Sequence, residues 1–396
     1  MVRRHLLAFS RSLRIGVIGL SVGLGLIYLS IPVFLQDWFG EVIDFPEKDQ
    51  ELKNQIGQMI MIGFRGIEAP PDSYIAKVIK DVKVGGVVLF DYDVPSQSFP
   101  RNIINPEQTK NLISSLKKYS SVPLLVAVDA EGGKVNRLKQ KYGFISVPSA
   151  KEMGRTDDVE NTKRIAEGLA KELRDLGFNM NLAPVVDVDV NPQNPIIGGL
   201  ERSFSADPMK VVAHAKAFIL AHRQNNVITV VKHFPGHGSS TNDSHLGLVD
   251  VTESYKEEEL IPYQKLQEER LLDAVMTAHI INRKVDGNYP ATISSRFLEE
   301  LLREQIGFNG VVISDDVQMK AIAANYGFEE AVIRMVNAGC DIIAISNNST
   351  SDYDESLPYK TLNIIYTAVK DGRIPIEKIT ESYNRISRLK KNLFSL

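Results

Sequence analysis

Short apolar runs separated by longer amphipathic stretches dominate the chain from about residue 50 onward. Most of the runs are rich in valine and isoleucine and apolar at successive positions, which is typical of strands buried on both faces of a parallel sheet. Eight of them are predicted to be strands, over residues 58–64, 85–90, 124–129, 179–184, 229–234, 274–279, 310–315 and 340–345.

The stretches between the runs have the periodicity of helices. Residues 161–176 place Ile165, Leu169 and Leu173 four positions apart, and Gly177 follows as a stop signal. Similar patterns predict helices over residues 207–223, 328–338 and 375–393.

Strands that alternate with helices in this way predict an α/β fold of the TIM type, a (β/α)8 barrel. A doubly wound open sheet is the alternative that the same alternation allows. No G-x-G-x-x-G sequence follows the first predicted strand, so a dinucleotide site is not expected. The predicted barrel domain covers residues 51–396, preceded by a linker over residues 36–50.

A different pattern precedes the linker. Residues 15–35 are 21 consecutive positions without a charged side chain, roughly 30 Å of helix, which matches the core of a bilayer. Four arginines and no acidic residue precede this run, and Asp37 is the first acidic residue after it. The positive-inside rule then predicts a basic cytoplasmic N-terminus over residues 1–14, a transmembrane anchor over 15–35 and an extracytoplasmic barrel.

The length of the apolar run separates an anchor from other segments. Cleaved signal peptides have apolar regions of about 7–15 residues and end in a small-x-small site, which this run lacks. A buried soluble helix is disfavoured by Gly16, Gly19, Gly23 and Pro32. We therefore expect an uncleaved membrane anchor, and a cleaved signal peptide is the alternative.

Composition and charge narrow the function further. The chain has a net charge of −3, and because the first 35 residues hold four arginines and no acid, the remainder carries 42 basic and 49 acidic side chains, a net of −7. Such a body lacks the basic surface that nucleic-acid binding requires. The single cysteine, Cys340, excludes an intrachain disulfide and a four-cysteine zinc site. We expect Cys340 to be an inert residue of the hydrophobic core. We also expect the protein to be a monomer.

Polar residues lie at the ends of several predicted strands. Asp129 ends the third run, Lys232 and His233 lie in the fifth, His279 ends the sixth and Asp315 ends the seventh. A (β/α)8 barrel has its active site at the C-terminal ends of its strands. We therefore expect these side chains to converge on one catalytic mouth.

The segment 232–245, KHFPGHGSSTNDSH, contains three of the seven histidines. One interpretation is a metal site with His233, His237, Asp243 and His245 as ligands. The Pro-Gly pair between the first two histidines breaks the helix that would align them, so we expect no metal. The other interpretation is a dyad of Asp243 and His245, in which the carboxylate raises the pKa of an imidazole whose ordinary value is about 6.5, as suits a general acid/base.

Longer motifs carry a family resemblance. The chain contains KHFPGHG followed after four residues by DSH, together with DAEGGKVNRL at 129–138, ERSF at 201–204, MTAH at 276–279 and SDDVQMKAI at 314–322. These motifs resemble the β-N-acetylglucosaminidases of glycoside hydrolase family 3, the murein-recycling kind. The resemblance covers residues 51–393 and is closest to the single-domain members.

The resemblance implies a retaining, cofactor-free mechanism, in which a carboxylate forms a covalent glycosyl-enzyme that water then cleaves. The position that matches the family nucleophile is Asp315. The acid/base is matched by His245 with Asp243 behind it, in place of the usual second carboxylate. The implied activity is exo-hydrolysis of a terminal N-acetylglucosamine from murein fragments or chitooligosaccharides.

The resemblance also implies sugar-binding positions and shows some departures. His237 and His279 are expected to line the site. Ala130 and Lys134 stand where the family often has Gln and Arg, and the stretch IIGGLERSF is longer than the common IGxRSF. The sugar-binding positions, whose mostly charged side chains suit the many hydroxyls of a pyranose, are Asp129, Arg137, Arg202, Lys232 and His233.

Two other functions are compatible with these residues. A glycosyl phosphorylase is one, because a histidine acid/base lacks the negative charge that would repel phosphate. A catalytically inactive sugar-binding protein is the other, although the presence of both Asp315 and the Asp243–His245 pair disfavours it.

Overall fold

The computed structural model describes residues 47–243, 247–349 and 352–393. Within them the predicted runs form short and mostly buried strands. In chain order the strands are β1 (Ile60–Gly63), β2 (Gly86–Leu89), β3 (Leu125–Val128), β4 (Ala130–Gly132), β5 (Val135–Asn136), β6 (Met180–Asn181), β7 (Ile228–Phe234), β8 (Val249–Asp250), β9 (Ala274–Thr277), β10 (Ile280–Ile281), β11 (Val311–Ile313) and β12 (Ile343–Ile345).

Eight of these strands form one parallel sheet in the order β11-β9-β7-β6-β3-β2-β1-β12. The two ends of that order meet, because Ile313 and Ile342 form a parallel bridge and Ser314 N–H donates to Ile342 O at 2.9 Å. The sheet is therefore a nearly closed barrel of the TIM type, as predicted, and not an open doubly wound sheet. The fourth predicted strand is shorter than expected, since only Met180–Asn181 pair regularly before a single bridge joins Val185 to Lys232.

Helices connect most of the successive barrel strands, and the segment Arg296–Gln305 between β9 and β11 is π-helical. The helices of the described residues are α1 (Glu47–Gln58), α2 (Tyr74–Asp81), α3 (Pro106–Tyr119), α4 (Ala150–Thr156), α5 (Val159–Leu176), α6 (Pro208–Gln224), α7 (Ile261–Glu268), α8 (Lys320–Tyr326), α9 (Phe328–Ala338), α10 (Leu357–Lys370) and α11 (Ile376–Asn392).

Local signals in the sequence set the ends of these helices. The side chain of Asp158 accepts the N–H of Asn161 at 2.9 Å and caps the start of α5. Gly177 ends α5 with a φ of 98°, a conformation that favours glycine. The predicted helices over 161–176, 207–223, 328–338 and 375–393 correspond to α5, α6, α9 and α11.

The barrel strands form the centre of the hydrophobic core. Every residue of β1, β2, β3, β7, β9 and β11 is buried. Burial on both faces explains why the sequence shows continuous apolar runs instead of alternation. Cys340 has no exposed surface in this core, and burial raises the pKa of its thiol, as expected for an inert residue.

Two small sheets extend beyond the C-terminal ends of the barrel strands. The antiparallel pair β4–β5 follows β3 directly, and β10 follows β9 and pairs in parallel with β8. These additions surround one end of the barrel with loops and turns, and the polar residues at the strand ends lie there.

The predicted anchor over residues 15–35 and the basic segment 1–14 lie outside the described residues. Across residues 47–243, 247–349 and 352–393, no helix combines the length and the apolar character that a membrane span requires.

Candidate active site

Polar residues from three barrel strands lie at the end of the barrel where the sequence predicts the active site. Asp129 directly follows β3, Lys232 and His233 belong to β7, and Asp315 comes two residues after β11. Because all eight strands are parallel, these positions share the C-terminal end of the barrel.

Lys232 lies between two carboxylates. Its Nζ is 2.8 Å from Asp129 Oδ1 and 2.7 Å from Glu131 Oε1, and 3% of its side chain is exposed. Burial alone would lower the pKa of Lys232, but the two carboxylates outweigh burial and raise it. Lys232 is therefore a fixed cation at the mouth of the barrel.

Arg202 binds the same glutamate from the other side. Its Nε and Nη2 each donate to a different oxygen of Glu131 at 2.8 Å, which is the bidentate geometry that fixes a guanidinium in a plane. Burial raises the pKa of Glu131, whereas Arg202 and Lys232 together lower it to about 2. The predicted sugar-binding positions Arg202 and Lys232 are thus held together by a buried, ionised carboxylate.

The hydrogen bonds of His233 define its tautomer. Arg202 Nη2 lies 3.1 Å from His233 Nε2, and because a guanidinium only donates, Nε2 must accept. The proton of the ring is then on Nδ1, which donates to Asp187 Oδ2 at 2.7 Å. Asp187 is fully buried, and although burial raises its pKa, His233 outweighs burial and lowers it.

The exposed edge of this network is the pair Asp129 and Arg137. Arg137 Nη2 lies 3.5 Å from Asp129 Oδ2, and its guanidinium lies 5.7 Å from the centre of the Phe90 ring. The side chains of Arg137 and Asp129 are 32% and 15% exposed, whereas those of Arg202 and Glu131 are 9% and 5% exposed. Asp129 and Arg137 are therefore the more accessible members of this network.

The two adjacent aspartates after β11 are held differently. Asp316 accepts the N–H and the hydroxyl of Ser346 after β12, and burial raises the pKa of Asp316. Asp315 N–H donates to Thr277 Oγ1 at 3.2 Å at the end of β9, and Asp315 Oδ1 accepts the N–H of Asp316 at 2.8 Å. Asp316 is therefore tied to the end of β12 through its side chain, and Asp315 is tied to the end of β9 through its backbone N–H.

Two further histidines border the mouth. His279 is fully buried, and its Nε2 donates to Asp316 O at 2.9 Å. His237 Nδ1 lies 2.6 Å from Ser240 Oγ, and burial lowers the pKa of the His237 imidazole to about 4, so that this ring is neutral near pH 7.

The predicted acid/base dyad lies at the edge of the described chain. Asp243 is half-buried and is the last described residue before 244–246, and His245 lies outside the described residues. The catalytic roles of Asp243 and His245 therefore stay predictions.

Two carboxylates that join the predicted sugar-binding residues were not among the predicted site residues. Glu131 bonds Arg202, 71 positions away, and Asp187 bonds His233, 46 positions away. Each follows a predicted strand, in DAEGG and VVDVDV, and that was the available signal. Acidic residues near strand ends are common, however, and their distant partners became evident only in the fold.

A parallel barrel with a charged mouth at the C-terminal ends of its strands is the architecture of a TIM-type enzyme. The chain belongs to glycosyl hydrolase family 3, since the model of that family's N-terminal domain matches residues 51–389. It is 34% identical over 298 residues to a beta-hexosaminidase of Photobacterium profundum, covering 74% of this chain and 84% of that protein. It is 35% identical over 277 residues to the beta-hexosaminidase LpqI of Mycobacterium tuberculosis, covering 68% of each.

Solved structures agree with this assignment. A glycoside hydrolase family 3 beta-N-acetylglucosaminidase from Paenibacillus sp. FPU-7 matches with a TM-score of 0.78 and 35% identity, covering 87% of this chain and 62% of that one. M. tuberculosis LpqI matches with a TM-score of 0.72 and 30% identity, covering 85% of this chain and 93% of that one. The family resemblance indicated by the motifs is thus confirmed.

Proposed function

We propose that this chain is a retaining exo-β-N-acetylglucosaminidase that hydrolyses a terminal N-acetylglucosamine from murein fragments or chitooligosaccharides. The observation that supports this most directly is the network of Asp129, Arg137, Arg202, Lys232 and His233 at the mouth of a family 3 barrel. Relatives named beta-hexosaminidase and beta-N-acetylglucosaminidase support the choice of sugar.

The network suits the recognition of a pyranose. A sugar hydroxyl can donate to a carboxylate and accept from a cation, and Asp129 lies within contact of both Lys232 and Arg137. Hydrogen bonds to charged groups contribute about 1.5–3 kcal/mol each, more than those between neutral groups. Since Glu131 and Asp129 together balance the charges of Lys232 and Arg202, the mouth binds a neutral sugar without an unpaired buried charge.

In the proposed reaction the Asp315 carboxylate attacks the anomeric carbon while His245 donates its proton to the leaving oxygen. The glycosidic C–O bond breaks, and a covalent glycosyl ester forms at Asp315. His245, now neutral, then takes a proton from water, whose oxygen attacks the anomeric carbon and releases Asp315 as a carboxylate. Asp243 orients the imidazole and stabilises its protonated form in both steps.

Hydrolysis of nitrophenyl N-acetyl-β-glucosaminide, measured beside the matching glucoside, tests the substrate. We expect turnover of the N-acetylated sugar and little turnover of the glucoside, and the reverse preference would contradict the proposal. Parallel assays with added phosphate distinguish hydrolysis from phosphorolysis, because phosphorolysis requires phosphate and yields the sugar 1-phosphate.

The location of the barrel outside the cytoplasm is a further part of the proposal, and it is based on the apolar run 15–35 and the arginines before it. Alkaline phosphatase or green fluorescent protein fused after Leu396 tests it in a bacterial host. Phosphatase activity with the full-length mass supports an uncleaved anchor. A product shorter by about 30 residues indicates a cleaved signal peptide, and fluorescence without phosphatase activity places the barrel in the cytoplasm.

A further inference from the structure

The proposed mechanism gives no role to one buried acidic residue beside residues 236–240. Glu259 lies in a short 3-10 helix, Glu257–Leu260, before α7, and it has no exposed surface. We propose that Glu259 is a positioning residue that holds the backbone of residues 236–240, between the sugar-binding pair Lys232–His233 and the dyad Asp243–His245. This inference rests on the proposed function, because the dyad is part of it.

The contacts of Glu259 are made almost entirely with backbone N–H groups. Its Oε2 accepts the N–H of Gly238 at 2.8 Å and that of Ser239 at 3.2 Å. Its Oε1 accepts the N–H of Lys256 at 3.3 Å, which fixes the carboxylate relative to its own helix. The carboxyl group of Glu259 thus joins residues 238–239 to the short helix Glu257–Leu260.

Glu259 and Asp187 share this task at successive residues. Asp187 Oδ1 accepts the N–H of His237 at 2.8 Å, and Glu259 accepts the next two N–H groups along the chain. Three consecutive N–H groups turned toward anions form an anion-binding concavity, and here two internal carboxylates occupy it. The loop conformation is therefore specified by hydrogen bonds to two carboxyl groups in addition to packing.

The surrounding space leaves the loop little freedom. A Cβ at Gly238 would lie 1.7 Å from Val188 O, and one at Gly236, where φ is 125°, would lie 2.7 Å from Glu259 Cβ. Side-chain amides fix the carbonyls of the same segment, because Asn194 Nδ2 donates to His237 O at 2.7 Å and Asn191 Nδ2 donates to Ser240 O at 2.9 Å. These contacts hold residues 236–240 at the point from which the chain continues to Asp243.

The electrostatic surroundings show that stability alone does not account for this glutamate. Within the described residues no lysine or arginine forms an ion pair with Glu259. The pKa of Glu259 is raised to about 7, chiefly by burial and also by the nearby Asp187 carboxylate, although the hydrogen bonds from Ser239 and Lys256 lower it. The other titratable groups facing it, Tyr255 and Tyr263, are neutral phenols. Burial of a carboxylate without a cation is costly, which favours a role in geometry over a role in stability.

The position of the loop should matter most when the leaving group needs a proton. A misplaced acid slows the cleavage of a poor leaving group and has little effect on a good one, whereas partial unfolding reduces both equally. The test therefore compares kcat/KM, which reports the glycosylation step, for chitobiose and for 2,4-dinitrophenyl N-acetyl-β-glucosaminide. The variants are Glu259→Ala, Glu259→Gln and, as the matched control, Glu258→Ala, since Glu258 is exposed one position earlier.

We expect Glu259→Ala to lower kcat/KM for chitobiose about 10- to 100-fold more than for the dinitrophenyl substrate. Glu259→Gln keeps the shape but loses half of the acceptor capacity, so a smaller change in the same direction is expected, and Glu258→Ala should match the wild type. Thermal denaturation of each variant shows whether it is folded.

Equal losses for both substrates in a folded Glu259→Ala variant would overturn the positioning role, and so would an equal shift in the Glu258→Ala control. If Glu259→Ala does not fold, Glu259→Gln decides, since an unchanged ratio of the two kcat/KM values overturns the inference and a lowered ratio supports it. Absence of wild-type turnover on both substrates contradicts the proposed function, and the positioning role with it, whereas an unchanged ratio contradicts the positioning role alone.

Discussion

The two ends of the barrel each bury a lysine, and the two lysines differ in their hydrogen-bond partners and in the direction of their pKa shifts. At the C-terminal end, Lys232 contacts Asp129 and Glu131, and these carboxylates raise its pKa in spite of burial. At the N-terminal end, Lys390 of α11 donates to Gln58 Oε1 at 2.6 Å and to Gly85 O at 2.8 Å, and burial lowers its pKa to about 7.

The difference shows that a perturbed pKa does not by itself identify an active site. The pKa of Lys390 is strongly lowered, yet its partners are neutral groups before β1 and β2, at the end of a TIM-type barrel where residues serve stability. Lys232 differs because carboxylates and further cations surround it at the end where substrates bind. The neighbours and the end of the barrel, taken together, separate a site from a structural contact.

The largest effect at the C-terminal end is expected for Asp315→Asn. Without a nucleophilic carboxylate no glycosyl-enzyme forms, so kcat should fall by at least about 10⁴-fold while the melting temperature changes little. Nitrophenyl N-acetyl-β-glucosaminide assays measure the loss. A mechanism-based 2-fluoro sugar should label Asp315 in the wild type, and labelling at Asp316 or Glu131 instead would show that the nucleophile is misassigned.

His245→Ala tests the other half of the proposed chemistry. General acid/base assistance contributes about 10²–10⁴-fold, so turnover of a substrate with a poor leaving group should fall by that factor. Asp243→Ala should have a milder effect in the same direction, because it removes the orientation of the ring but not the ring. A loss below roughly tenfold for His245→Ala would exclude the dyad as the acid/base.

The same substitution at both ends sharpens the comparison. Lys232→Met leaves Asp129 and Glu131 without their shared cation, so we expect the free energy of unfolding to fall by about 3 kcal/mol or more and kcat/KM to fall roughly 10- to 100-fold. Lys390→Met removes a desolvated cation, so it should leave activity unchanged and alter the free energy of unfolding at pH 7 by less than about 1 kcal/mol. Urea denaturation measures the free energy of unfolding of each variant, and steady-state kinetics measure its kcat/KM. Equal losses of activity in the two variants would contradict the proposed difference between the two ends of the barrel.

The smallest expected effect is a pH dependence that belongs to Lys390. Between pH 7 and the ordinary lysine pKa of 10.5, the unfolded chain holds a proton on Lys390 that the folded chain does not. Stability therefore rises with pH in this window, and from pH 7 to pH 9 the wild type should gain roughly 2 kcal/mol relative to Lys390→Met. Lys391→Met, at the exposed neighbouring position, serves as the control and should gain as much stability between pH 7 and pH 9 as the wild type. If the wild type gained as much relative to Lys391→Met as it does relative to Lys390→Met, the assignment to Lys390 would be contradicted.

Much of the fold could be predicted from the sequence because its signals are local. Apolar runs marked most of the barrel strands, and Gly177 with the four-residue spacing before it marked α5. The strand at 179–184 was the poorest prediction, since apolar residues continue where only Met180–Asn181 pair regularly. Strand pairing depends on neighbours distant in the chain, which the local pattern does not contain.

The sequence by itself determined the order of elements, the family and the candidate residues Asp129, Arg137, Lys232, His233 and Asp315, because these depend on local periodicity and on contiguous motifs. The tertiary structure alone decided which charges are paired. Glu131, Asp187 and Glu259 look like ordinary acidic residues in the sequence, and so does Lys390 among the basic residues of α11. The ionisation and the roles of these residues arise from desolvation and from partners many positions away in the chain. Desolvation and these partners exist only after the barrel has closed.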